Sequence, residues 1–180
     1  MPEPDCARRN EQPYAALRAS VTVDSLVEES ARMLDAVRLW FDLHEFLPGG
    51  GPLLRYLVVG TGTRLQVDVG FPVARSSMPQ LLDAIERRHA SGAGAAEGVR
   101  LDRLPAGNYA WVVHEGDAAD LGQVREMLVW WVGSKGFELD RWSTDRGSVW
   151  GGRVEFDLTE GPPDSTDAVS RVELAYRLVA

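Results

Sequence analysis

The 180-residue sequence predicts an α+β domain made of a duplicated β-α-β-β unit, with its two halves in a pseudo-twofold arrangement. The first observation is an internal repeat, because residues 68–73 and 173–178 both start with an acid followed by apolar residues at every second position. The second is that each repeat follows a strand-like run and a long amphipathic helix. We therefore expect an antiparallel sheet with helices packed on one face and a ligand cleft between the halves.

The first half is predicted to span residues 13–74 and to follow a flexible tail over residues 1–12, which are mostly polar. Ser25 and Glu28 have the spacing of a capping box and indicate the start of a helix. A run rich in proline and glycine at 48–52 ends that helix, because neither residue type continues it well. In order, the predicted elements are a strand at 14–23, the helix at 26–44, and a hairpin of strands at 53–59 and 65–73.

A connector over residues 75–98 is predicted to carry a short helix at 77–89, which could cover the cleft, and a mobile Gly/Ala-rich segment at 91–98. The second half, residues 99–180, then repeats the pattern. Gly136 suits the position just after a helix end, and Gly151 with Gly152 indicates a bulge. The predicted elements are strands at 99–104 and 109–114, a helix from 117 to 136, a strand at 149–158, a polar loop at 159–168 and a closing strand at 169–179.

Composition excludes several function classes. The formal net charge of −8 disfavours direct nucleic-acid binding, since a phosphate backbone repels such a surface. Cys6 is the one cysteine, so no disulfide can form within the chain, and with no long apolar run we expect a cytoplasmic protein without membrane contact. Phosphate-loop, dinucleotide, nucleophile-elbow and zinc spacings are missing, so we expect no cofactor and no metal site.

Glu173 is the most informative candidate for a binding residue. It lies in an apolar run, where a carboxylate is costly unless it is paired or close to a cleft. Strand alternation turns Leu174, Tyr176 and Leu178 towards the helices and Glu173 the other way. Asp68 has the matching place in the first half. The two acids would line the floor of a cleft on that face, or would be ordinary exposed acids if the face is solvated.

The six tryptophans offer a second set of candidates. Aromatic side chains line pockets for flat ligands and stack on cations, but they also fill cores. Trp40 and Trp131 lie on apolar helix faces, which favours the core. For Trp111 and Trp150, on strands near the expected cleft, pocket and core are equally good interpretations, and Trp142 in a connection could be either.

Four short segments together resemble the GyrI-like family of small-molecule-binding domains, also called effector-binding or SOUL-related domains. They are residues 12–22 (QPYAALRASVT), 68–73 (DVGFPV), 104–110 (LPAGNYA) with 114–116 (HEG), and 173–178 (ELAYRL). The resemblance implies two β-α-β-β units with the ligand between them. It implies that Glu173 meets cationic or polar parts of a ligand and that Tyr56 and Phe156 line the pocket. Phe156 lacks the hydroxyl common at that position, and Arg177 replaces the usual proline and adds a cation.

The resemblance implies a standalone domain that binds a hydrophobic or aromatic compound, with cationic compounds among the candidates, for drug or toxin binding or sensing. Tyr56, Asp68, Trp111, Trp150, Phe156 and Glu173 are the expected ligand-binding residues. One alternative is a hydrolase of an electrophilic, cyclopropane-type natural product, in which Glu173 would be catalytic. Another is a protein–protein inhibitor or sensor partner, as in gyrase inhibition or transcription regulation, and a homodimer is compatible with each.

Overall fold

The computed structural model describes residues 2–90, 98–160 and 169–180, so almost all of the segments at 91–98 and 159–168 lies outside the described residues. The helices are α1 Leu26–Leu43, α2 Met78–Ala90 and α3 Leu121–Ser134. The strands are β1 Asp5–Arg9, β2 Gln12–Thr22, β3 Leu53–Val59, β4 Arg64–Pro72, β5 Arg100–Leu104, β6 Gly107–Glu115, β7 Arg141–Thr144, β8 Gly147–Trp150, β9 Arg153–Asp157 and β10 Arg171–Arg177.

These strands form one antiparallel sheet in the order β1-β6-β10-β9-β3-β4-β2-β5, with the β7–β8 hairpin attached to β3. The order is symmetric about the β3–β9 pair, since β4 and β2 follow β3 on one side as β10 and β6 follow β9 on the other. This arrangement confirms the α+β fold with a duplicated unit, and the fold is consistent with the GyrI-like one.

The two leading strands are exchanged between the halves. β1 runs directly into β2 but pairs with β6, whereas β5 runs directly into β6 but pairs with β2. The expectation of a flexible tail over residues 1–12 is therefore wrong for Asp5–Arg9, which is a strand. The sequence did not show this because a mostly exposed edge strand is held by backbone pairing, which needs no apolar pattern.

One face of the sheet, which we call the helix face, is covered by the three helices. Leu174 and Tyr176 of β10, with Leu178 directly after the strand, pack there against α3, as strand alternation predicts. Trp40 of α1 is buried on the same face, and α2 adds Leu81 to that core. The helix predicted at 77–89 is confirmed as α2, which lies on the helix face of the first half.

The opposite face, which we call the inner face, carries a buried cluster to which none of the described helices contributes: Tyr14, Ala16, Leu53, Leu104, Tyr109, Val154 and Ala175. Strands from both halves contribute, so the sheet must curl to keep these side chains from water. The cleft expected between the halves therefore corresponds to the inner face.

Local predictions had mixed outcomes. Gly136 has φ +75°, its N donates to Gly133 O at 3.0 Å, and Phe137 N donates to Val132 O at 3.1 Å, which confirms the predicted helix end. The Ser25 capping box is wrong, because the Ser25 hydroxyl bonds to Thr22 and makes no cap hydrogen bond. The strand predicted at 149–158 is two strands, β8 and β9, because residues 151–152 interrupt the pairing with β3.

Candidate functional site

A cavity of about 480 Å³ opens on the inner face, and we call it the inner cavity. It lies beside the point where the β1–β2 and β5–β6 connections come together, because Arg9 pairs with Gly107 and Gln12 pairs with Leu104. Its lining residues are Arg9, Asn10, Glu11, Gln12, Gly49, Pro72, Leu104, Tyr109, Val154, Phe156 and Glu173. Both halves and both exchanged strands therefore build this site.

Phe156 and Glu173 lie side by side in the cavity lining. They are direct partners in the register of β9 and β10, so their side chains leave the sheet on the same face. Val154, two residues earlier on β9, extends the apolar floor. Strand pairing thus places a carboxylate next to an aromatic ring.

Arg9 of β1 supplies the counter-ion of Glu173. Its Nη1 donates to Glu173 Oε1 at 2.7 Å, and its guanidinium carbon lies 5.8 Å from the centre of the Tyr109 ring. The Glu173 side chain keeps 17% of its surface exposed and the Arg9 side chain 28%, so both remain within reach of the cavity. A cation held between a carboxylate and an aromatic face is the arrangement that recognises organic cations.

The sequence interpretation missed Arg9 and Tyr109. Arg9 was assigned to a tail, and its approach to Glu173 depends on the exchange of β1 into the second half. Tyr109 and Tyr14 have equivalent positions in the two halves, because each lies two residues after the first residue of its strand. That repeat was a usable signal for Tyr109, whereas nothing local indicated Arg9.

Asp68 lies on the inner face, as predicted, but it does not line the cavity. It is fully buried, and it accepts hydrogen bonds from Tyr14 Oη at 2.6 Å and from Arg18 at 2.7 and 2.9 Å. Burial raises the pKa of the Tyr14 phenol, the nearby Asp68 charge adds to this, and the hydrogen bond to Asp68 raises the pKa of Arg18. These partners occupy the carboxylate, so Asp68 is corrected from ligand-binding to structural.

Arg55 ties this buried network to the second half. Its Nη1 donates to Tyr14 Oη and to Arg103 O, both at 3.0 Å, and its Nη2 donates to Gly151 O at 3.1 Å. The inner face therefore carries polar bonds that link the two halves.

Tyr56 and Trp150 lie on the helix face, not in the inner cavity. Leu53 of β3 belongs to the inner-face cluster. Because side chains alternate along a strand, Tyr56, three residues later, points to the helix face, where it packs among core residues of α1 and β4. Trp150 is buried against Tyr176 in the core under α3. Strand alternation thus corrects the expectation that these two residues line the cleft.

Trp111 lies on the inner face and packs against its cluster, outside the residues that line the cavity. Trp142 is half exposed on β7. Arg177, expected to add a cation near the cleft, donates to Asp140 at 2.5 Å and to Ala106 O instead. Its charge is therefore neutralised away from the cavity lining.

The inner cavity combines charged, polar, aromatic and apolar side chains. Its described lining holds the Arg9–Glu173 ion pair, a second acid at Glu11, the amides of Asn10 and Gln12, two aromatic rings and apolar side chains. No group of described residues could hold a metal ion. Among the described helices, none has the length and apolarity needed to cross a membrane.

Comparison with known proteins shows the same fold in solved structures of low identity. No family model matches the chain, and no curated protein matches it. The EcmrR C-terminal domain has a TM-score of 0.65 at 13% identity, covering 99% of this chain and 98% of that one. A hydrolase from Listeria innocua has a TM-score of 0.61 at 13% identity, and the match covers 98% of this chain and 92% of that one. SAV2435 bound to tetraphenylphosphonium has a TM-score of 0.54 at 8% identity, and the match covers 97% of this chain and 94% of that one.

Proposed function

We propose that this protein is a GyrI-like domain that binds a hydrophobic, aromatic cation in the inner cavity, with Glu173 as the anchor for its charge. The observation that carries the proposal is the Arg9 guanidinium, which lies against Glu173 and the Tyr109 ring. The site already accommodates one organic cation, namely a side chain of the protein itself. A structural neighbour bound to tetraphenylphosphonium supports the same class of ligand.

The proposal assigns a role to each part of the site. The ligand's positive charge takes the place of Arg9 beside Glu173, and its aromatic body contacts Phe156, Val154 and the Tyr109 ring. Arg9 then moves to solvent, which is feasible because it lies on an edge strand and is partly exposed. The exchange conserves charge, since one cation replaces another next to a largely buried carboxylate.

The proposal predicts opposite effects on cation affinity when the two partners of the Arg9–Glu173 ion pair are substituted in turn. Titration calorimetry with tetraphenylphosphonium is expected to show saturable binding to the unmodified protein. Glu173→Gln should weaken binding by roughly tenfold or more, because a charge-assisted contact of about 1.5–3 kcal/mol is lost. Arg9→Ala should tighten binding severalfold, because the ligand no longer competes with an ion pair of about 1 kcal/mol.

Glu115→Gln is the matched control. Glu115 is also an acid paired with an arginine, Arg171, at 3.0 Å, but it is exposed and outside the cavity lining. Its substitution should leave the dissociation constant unchanged. If Glu173→Gln and Arg9→Ala both bind the cation like the unmodified protein, the cation does not occupy this site.

A hydrolase is the second candidate, because one structural neighbour is a hydrolase. Here Glu173 would direct a water at an electrophilic ligand. The described lining favours binding over this reaction, since Glu173 already accepts a hydrogen bond from Arg9. Product in excess of one equivalent of protein, abolished by Glu173→Gln, would establish catalysis, whereas loss of at most one equivalent would establish sequestration.

A further inference from the structure

The helix face carries a second cluster of aromatic and charged side chains at the centre of the sheet. Arg153 of β9 lies among three aromatic rings, with its guanidinium carbon 4.5 Å from the ring centre of Tyr56, 4.8 Å from that of Trp150 and 5.0 Å from that of Tyr176. We call these four residues the aromatic box. It lies on the other side of the sheet from the inner cavity, because Arg153 and Val154 are neighbours on one strand.

Arg153 differs from the neighbouring arginine in its partners. Arg125 of α3 binds both oxygens of Glu155, at 2.7 and 2.9 Å, so those two charges are neutralised. In contrast, no carboxylate in the described part of the chain lies within ion-pair distance of Arg153. A further guanidinium, that of Arg141, lies 5.2 Å from the Trp150 ring centre. The aromatic box therefore has a surplus of positive charge, with Glu126 as the remaining acid beside it.

Three polar groups of the aromatic box are buried without a hydrogen-bond partner: Arg153 Nε, Trp150 Nε1 and Tyr176 Oη. Tyr176 itself is fully buried. Each of these groups can donate a hydrogen bond, and leaving a buried donor unpaired is unfavourable. Their concentration at one place indicates that an acceptor belongs there.

A cavity of about 360 Å³ adjoins the aromatic box, and we call it the outer cavity. Arg153 and Tyr176 form its floor on the sheet, and Arg125, Glu126, Val129 and Trp130 of α3 form its wall. Trp130 is 71% exposed, which is unusual for so large an apolar side chain. An apolar ligand resting on the Trp130 ring would shield it from water.

We propose that the outer cavity is a binding site for an aromatic carboxylate. The carboxylate accepts hydrogen bonds from Arg153 and Tyr176, the two lining residues with unpaired buried donors, and its charge balances that of Arg153. The aromatic body contacts Val129 and Trp130 of α3. The ligand has the opposite charge to the one proposed for the inner cavity, and the two sites do not share a lining residue.

The test is calorimetric titration of the full chain with 1-naphthoate, and in parallel with the neutral analogue 1-naphthalenemethanol. Saturable binding of naphthoate, at least tenfold tighter than that of the alcohol, is expected. Arg153→Gln should weaken naphthoate binding at least tenfold and Tyr176→Phe a few-fold. Arg171→Gln, which removes an exposed arginine of β10, is the matched control and should have no effect.

Arg153→Gln could disturb the core, so Trp130→Ala provides a second variant at an exposed position. It should weaken naphthoate binding severalfold without changing the melting temperature. Absence of saturable naphthoate binding, equal binding of the alcohol, or an unchanged dissociation constant in folded Arg153→Gln would each overturn the proposal. Glu173→Gln should bind naphthoate normally, so failure at the inner cavity is distinguishable from failure here.

Discussion

Asp68 and Glu173 occupy corresponding positions in the two halves, yet the structure uses them differently. Asp68 is fully buried and bound by Tyr14 and Arg18, both of its own half. Glu173 keeps 17% of its side chain exposed, lines the inner cavity, and is bound by Arg9 from an exchanged strand. The same position in a repeated unit thus gives a structural acid in one half and an accessible acid in the other.

The difference comes from neighbours across the strands. Arg18 is the register partner of Asp68, whereas an uncharged Val113 is the register partner of Glu173. The corresponding tyrosines also differ, because Tyr14 donates to Asp68 while Tyr109 donates to the backbone oxygen of Pro105 at 2.7 Å. Among the described residues, the second half therefore gives its acid no side-chain partner, and Glu173 pairs instead with Arg9 of the exchanged strand.

The largest expected effect is that of removing each acid in turn. Asp68→Ala should lower the free energy of unfolding by about 3–5 kcal/mol, because the buried Tyr14 hydroxyl and Arg55 lose the carboxylate that balances their network and Arg18 keeps only Asp102 as an acid partner. Glu173→Ala should cost about 1 kcal/mol or less, since its ion pair with Arg9 is partly exposed. Urea denaturation of both variants measures the contrast, and equal losses would contradict the structural difference between the two acids.

The second largest expected effect is a loss of stability at Gly70. Gly70 follows Asp68 by two positions, as Ala175 follows Glu173, but it is a glycine where the second half has an alanine. A Cβ on Gly70 would lie 1.9 Å from Ala15 O, so the β2–β4 pair must separate to admit it. Gly70→Ala is expected to cost about 1–3 kcal/mol or more by overpacking. Gly62→Ala is the matched control, because nothing lies within 4 Å of its Cβ, and its unfolding midpoint should change little. A midpoint for Gly70→Ala like that of the control would show that the strands are not packed this closely.

The smallest effect compares the two tyrosines. Tyr14→Phe should cost about 1–3 kcal/mol, because a buried carboxylate and Arg55 both lose a partner. Tyr109→Phe should cost about 0.5–1.5 kcal/mol, since it removes one hydrogen bond to a backbone oxygen. Thermal or chemical unfolding distinguishes the two, and a larger loss for Tyr109→Phe would reverse the comparison.

Much of the fold could be predicted from the sequence because it rests on periodicity. The repeat at 68–73 and 173–178 indicated the duplication, and period-two alternation placed Leu174, Tyr176 and Leu178 under α3. The same rule, applied to β3, would have turned Tyr56 away from the cleft. That residue came instead from the family resemblance, which does not carry strand register with it.

The short β7 and β1 strands were not predicted, because neither has an apolar alternation. β7 is exposed throughout and is held by its backbone pairing with β8. β1 is mostly exposed and is held in the same way by β6. Edge strands of this kind carry little side-chain signal, since the hydrogen bonds that form them are made by groups common to all residues.

The sequence by itself determined the duplicated unit, the three helices, the strands with apolar alternation and the face on which Glu173 lies, because these follow from local spacing and alternation. Only the tertiary structure decided that Arg9 forms an ion pair with Glu173, 164 positions away in the sequence, and that Arg18 forms one with Asp68. Strand exchange and register settle which charges become neighbours. Both are set by the packing of the whole sheet, in which distant segments compete for the same backbone partners.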